Sequence, residues 1–180
     1  MANKFTQKAE NTISGSLLLA KELGHSYIGT EHLLVALASE KDSISARILS
    51  SRGADASKLR QSVIDYVGLG NTSLLSSEDM TPRLRKILEN AASEAARSGT
   101  KYVGTEHLLL GILEAARGSV KQLLETYRIN REAALKALQA VRGNQRVTTD
   151  SPEGNYEALE KYGTDLVKRA RDQKMDPVIG

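Results

Sequence analysis

The chain has 180 residues, 25 basic and 22 acidic side chains, a formal charge of +3 and no cysteine. Such a length holds one domain plus an appendage, and the missing cysteine excludes a disulfide framework, a thiol nucleophile and a thiolate metal site. With one Phe, six Tyr, no Trp and three Pro, the core must be Leu, Ile, Val and Ala, a palette that favours helices over sheets.

No apolar run approaches the ~20 residues of a membrane span, and the opening Met1-Ala-Asn-Lys-Phe-Thr6 lacks a signal peptide's apolar stretch. A cytoplasmic protein without a membrane partner is expected. Charges of both signs are interspersed, with no arginine-rich arm or basic-aromatic stripe, so no nucleic-acid partner is expected either.

In chain order, Thr6 reads as the N-cap of a long first helix, its hydroxyl accepting from an early backbone N–H. Ile13, Leu17 and Ala20, with Leu18 alongside, supply its buried stripe, and Gly24 ends it in the left-handed region. A second helix opens at Thr30, the expected N-cap, with Glu31 in its first turn and Leu33, Leu34 and Leu37 facing the core. A short third helix is predicted near Ile44–Ser51, and Asp55 caps a fourth that Gly68 closes. Leu69 to Asp79, rich in Gly, Asn, Thr and Ser, reads as a connector. Thr81 followed by Pro82 is then a strong helix start, because proline at the first helical position loses no hydrogen bond. That helix runs through Leu84, Ile87, Leu88, Ala91 and Ala95 to Gly99. Thr105, with Glu106 behind it, opens the next, with Leu108, Leu109 and Ile112 inward. A short helix near Ser119–Tyr127 and one capped by Asn130 and closed by Gly143 follow.

The second half repeats the first. Tyr27-Ile-Gly-Thr-Glu-His-Leu-Leu34 returns as Tyr102-Val-Gly-Thr-Glu-His-Leu-Leu109, an offset of 75 residues (104 − 29, glycine to glycine). The same offset carries Thr6 onto Thr81, Gly24 onto Gly99 and Gly68 onto Gly143. Two copies are too few for a solenoid. The expectation is an all-α domain over 1–143, made of eight helices in two four-helix repeats (5–68 and 80–143) related by a pseudo-twofold axis. Beyond it, 144–155 reads as a linker, and 156–174 as a charged C-terminal helix with Leu159, Tyr162, Leu166, Val167 and Ala170 on its apolar stripe. The stop at Asp176-Pro-Val-Ile-Gly180 reads as a cut within a longer protein.

These residues resemble the N-terminal domain of the Clp ATPases, double-ring AAA+ unfoldases. The doubled Gly-Thr-Glu-His-Leu-Leu phrase is most similar to the ClpC type. Gln145-Arg-Val-Thr-Thr-Asp-Ser-Pro-Glu-Gly154, Tyr156-Glu-Ala-Leu-Glu-Lys-Tyr-Gly163 and Asp176-Pro-Val-Ile-Gly180 are similar to the entry into the first ATPase domain, especially in ClpB-type disaggregases, which would place 156–180 at that domain's start. The mixture leaves the subfamily open, and with it a ClpP-type protease partner. The resemblance implies a non-catalytic domain that receives adaptors, unfolded proteins or marked substrates. It would pass them to the ATPase ring of the same chain, a hexamer, for unfolding, degradation or disaggregation. ATP and Mg²⁺ are implied for the parent protein and no cofactor for this stretch, which carries no Gly-x-x-x-x-Gly-Lys-Ser/Thr loop. The other reading is a stand-alone interaction module without ATPase domains.

Glu31 and Glu106 are the residues most open to a functional role. A carboxylate in a helix's first turn complements the macrodipole, and it also offers two acceptor oxygens to a guanidinium. The resemblance adds that some ClpC-type domains recognise phosphoarginine at two equivalent sites. Carried over by position, Glu31 with Thr6 and Lys4 would form the first, and Glu106 with Thr81 the second, where Asp79 replaces the lysine. The spacing of His32 and His107 lacks the His-x-x-x-His of helical zinc sites, so they are expected to be packing residues that satisfy neighbouring backbone groups. No Ser-His-Asp set is legible.

Overall fold

The computed structural model describes residues 4–72 and 74–142. The expected Gly143 stop, the linker and the charged tail helix lie outside the described residues. In order, the elements are β1 (Lys4–Phe5), α1 (Gln7–Glu22), α2 (Thr30–Ser39), α3 (Ile44–Ser51), α4 (Ala56–Val67), a 3-10 turn (Ser77–Asp79), α5 (Pro82–Arg97), β2 (Tyr102–Val103), α6 (Thr105–Ala115), α7 (Gly118–Thr126) and α8 (Arg131–Arg142). The described residues are thus mostly helical, with four helices among those of each repeat.

The caps follow the local sequence in most places. Thr6 accepts from the Ala9 N–H and Thr81 from the Leu84 N–H, each at 3.1 Å. Asp55 and Asn130 accept in the same way from Lys58 and Ala133. Thr30 and Thr105 are a correction: the N-caps are Gly29 and Gly104, and the threonines are already the first helical residues. Thr105 instead accepts the Ser45 N–H at 3.3 Å, tying the second repeat's phrase to the first turn of α3.

Leu33, Leu34, Leu37, Leu108, Leu109 and Ile112 are each no more than 1% exposed, burial that contributes about 2 kcal/mol per side chain. Leu18 departs from expectation, at 63% exposed. The buried face of α1 is Ala9, Thr12, Ser16, Leu19 and Ala20, so at ~100° per residue Leu18 turns away from it.

The helices pack as two hairpins, α1 on α2 and α5 on α6, with α2 and α6 meeting across the centre. α3 meets α8 and α4 meets α7, which are equivalent contacts under the 75-residue offset. The repeats also exchange their leading segments. β1 runs parallel to β2, pairing Phe5 with Val103, and Met80 bridges Ile28 in the equivalent way. The Thr6 N–H donates to the Val103 carbonyl and the Thr81 N–H to the Ile28 carbonyl, both at 2.9 Å. Each long helix is therefore anchored on the other repeat's phrase.

The connector lies on the end of α1. Gly24 has φ +75°, and a Cβ there would sit 2.2 Å from the Gly70 carbonyl oxygen. This backbone crossing is closed by Gly70 N–H to the Leu23 carbonyl and Thr72 N–H to the Gly24 carbonyl, each 2.9 Å.

Candidate functional site

The exchange decides which functional residues share a surface. Thr81 is bonded to Ile28, next to the capping Gly29 of the helix that carries Glu31. Thr6 is bonded to Val103, next to the capping Gly104 of the helix that carries Glu106. The structure thus pairs Glu31 with Thr81 and Glu106 with Thr6, the reverse of the pairing carried over by position. Lys4, exposed on β1 opposite Tyr102, goes with Glu106 and not with Glu31. Two identical phrases can meet either leading segment, and sequence offset alone does not say which.

Both carboxylates fold back over their capping glycine. A Cβ on Gly29 would lie 2.6 Å from Glu31 Oε1, and one on Gly104 would collide equally with Glu106 Oε1. A side chain at either glycine would therefore displace the carboxylate from its place over the cap, while the φ of −115° or −98° is itself open to any residue.

The two copies differ in cover. Glu31 is partly buried, and its Oε2 accepts the Tyr27 hydroxyl at 2.7 Å. Glu106 is 1% exposed, Thr6 is fully buried, and Thr81 is only partly buried. Burial, reinforced by the hydrogen bond to Glu31 and its charge, pushes the Tyr27 phenol well above its ordinary range. The first turn of α5 beside Thr81 carries Arg83 and Arg85, both exposed, whose guanidinium groups reach the Ala115 and Glu78 carbonyls.

The histidines of the phrase complete the caps. His32 Nδ1 accepts the Gly29 N–H and His107 Nδ1 the Gly104 N–H, each at 2.9 Å. This is the backbone role read from the sequence. The first repeat adds an element that reading missed: His25, 5% exposed, sits 2.7 Å from His32 Nε2 and stacks on Tyr27 with rings 3° from parallel. The available signal was the departure from the repeat, because position 100, the equivalent of His25, is threonine.

Among the described residues, no group of three or more His, Cys, Asp or Glu is arranged to hold a metal ion, and no helix is long and apolar enough to cross a membrane.

The sequence profile of the Clp repeat (R) N-terminal domain matches residues 4–127. Chaperone protein ClpB of Bacillus cereus is 37% identical over 183 residues, covering 99% of this chain and 21% of the relative. Chloroplastic chaperone protein ClpC1 of Arabidopsis thaliana is 34% identical over 185 residues, covering 100% of this chain and 20% of the relative. The chain thus spans about a fifth of the length of these curated relatives. In structure it is similar to the N-terminal domain of Hsp104 from Candida albicans, with TM-score 0.68 and 18% identity over 84% of this chain and 99% of that one. The N-terminal domain of ClpD from Arabidopsis thaliana gives TM-score 0.61 and 22% identity over 78% and 96%. At such identities the likeness is one of fold.

Proposed function

Because this chain belongs to the family of Clp repeat N-terminal domains, we propose that it is the receiving domain of a longer Clp ATPase. In this reading it takes up adaptors and protein substrates and delivers them to an ATP- and Mg²⁺-dependent hexameric ring. Unfolding there leads to disaggregation or to degradation by a ClpP-type protease.

The finer proposal is that the phrase carboxylates recognise phosphoarginine. The observation that supports it most is the juxtaposition of each carboxylate with the other repeat's threonine-capped helix start. A carboxylate binds a guanidinium through two parallel hydrogen bonds, while a helix N-terminus favours a phosphate. A ligand cationic at one end and anionic at the other needs both at short range. Glu31 with Thr81 is the more open pair, with Arg83 and Arg85 adding positive charge; Glu106 with Thr6, and Lys4 nearby, is the more enclosed one.

Calorimetric titration of the full chain with free phosphoarginine tests this. Glu31→Gln and Glu106→Gln, which keep shape and remove charge, should each weaken binding at least about tenfold at their own site. Together they should abolish it without loss of helicity. Binding that survives in a folded double variant refutes the assignment.

A further inference from the structure

The pair His25 and His32 stands apart from that ligand reading, because its hydrogen bonds run away from the carboxylate. The Gly29 N–H can only donate, so His32 Nδ1 must accept and its Nε2 carries the proton. The Gly68 carbonyl can only accept, so His25 Nε2, 2.8 Å away, must carry a proton too. His32 Nε2–H then donates to His25 Nδ1 across 2.7 Å. One directional relay results, from the cap of α2 through two neutral rings to the end of α4. Both remaining lone pairs already face a donor hydrogen. A further proton on either ring must break a bond of the relay.

The relay ends where the connector begins. Gly68, with φ +84°, closes α4, and Gly70 and Thr72 then bond to the end of α1 at Leu23 and Gly24. From these contacts we propose that His25 and His32 form an acid-sensitive latch, which holds the connector between the repeats against the α1–α2 corner while the relay is intact and releases it when His32 is protonated. The titratable groups acting on His32 are Glu31 from α2 and His25 from the turn after α1; Tyr27 stacks on His25, α4 presents the Gly68 carbonyl, and α1 presents the Ala20 carbonyl to the His25 N–H. Burial lowers the His32 pKa to about 4; the Glu31 charge opposes this and the His25 charge adds to it. A depressed histidine pKa means the latch is held at neutral pH and lost as pH falls toward that value.

The test uses the ¹⁵N-labelled full chain. Ring-nitrogen NMR should find the Nε2–H tautomer in both histidines, with His32 still neutral at about pH 6. As His32 titrates, the Gly70 and Thr72 amides should exchange about tenfold faster after correction for intrinsic rate, while Ala91 and Ala95 in α5 keep their protection. His25→Phe, which keeps a flat ring and removes both nitrogens, should give the same loss at neutral pH. Should that variant fail to fold, the wild-type titration decides alone. An Nδ1–H tautomer in either ring, His32 titrating near its ordinary value, or connector amides indifferent to the protonation step would overturn the latch.

Discussion

The crossing of Gly24 and Gly70 allows backbone strain to be separated from steric collision. Gly53 has φ +83° and nothing within 4 Å of where a methyl group would stand, so Gly53→Ala carries conformational strain alone, about 1 kcal/mol. Gly70 lies outside the left-handed region, yet its Cβ would sit 2.2 Å from the Gly24 carbonyl oxygen, so Gly70→Ala carries collision alone. The atoms in the way are backbone and cannot rotate aside. The connector must shift, stretching the bonds from Gly70 to Leu23 and from Thr72 to Gly24, at about 1 kcal/mol each. Gly24→Ala combines both effects. The expected losses are about 1, 2 and 3 kcal/mol for positions 53, 70 and 24. Urea unfolding at a common slope measures them, and each kcal/mol should lower Tm by about 2–4 °C in a chain of this size. If Gly70→Ala is neutral, or Gly24→Ala no worse than Gly53→Ala, the crossing does not hold the connector as described.

Adjacent leucines on α1 should behave oppositely: Leu19→Ala costs roughly 2–4 kcal/mol, whereas Leu18→Ser stays within about 0.5 kcal/mol, since the two are 8% and 63% exposed. Equal effects in chemical denaturation would contradict the assigned face. Glu94, 4% exposed, receives both guanidinium nitrogens of Arg131 at 2.7 and 3.0 Å, and Arg97 at 2.9 Å. Burial pushes its carboxyl up, but the bonds and charge of Arg131, helped by Arg97 and His107, outweigh this and hold it below its ordinary 4.5. That contribution is therefore present above the unfolded pKa and lost as pH falls through the lower folded value. Arg131→Ala should cost about 1–3 kcal/mol near neutral pH, shrinking as Glu94 protonates; a pH-independent cost would refute the pairing.

Most of the helical framework was legible because its signals are local. Thr6, Asp55, Thr81 with Pro82, and Asn130 start helices by hydrogen bonds that reach only three residues ahead. Gly24 and Gly99 stop them through a backbone conformation that their neighbours resist. The misreadings came where a second layer intervened. Thr30 and Thr105 are the first helical residues and not the caps: each helix begins one residue earlier than expected, behind a glycine whose N–H is taken by His32 or His107. Leu18 looked buried because three consecutive leucines leave the phase of a helical stripe undefined by one residue.

The sequence by itself determined that there are two copies of one helical unit, where most helices start to within a residue, and that the repeated phrase of each copy places one carboxylate in the first turn of its helix. Only the tertiary structure decided what those carboxylates face. The offset of 75 residues equates Phe5 with Met80 and Ile28 with Val103. Pairing within a copy and pairing across copies use the same residue types, so local propensity cannot choose between them. The packed domain pairs across, bringing Thr81 to Glu31 and Thr6 to Glu106. The same packing leaves Glu31 partly open and covers Glu106, although the two sit in identical Gly-Thr-Glu-His-Leu-Leu phrases. Exposure belongs to whatever lies over a side chain, and that is supplied by residues distant in sequence.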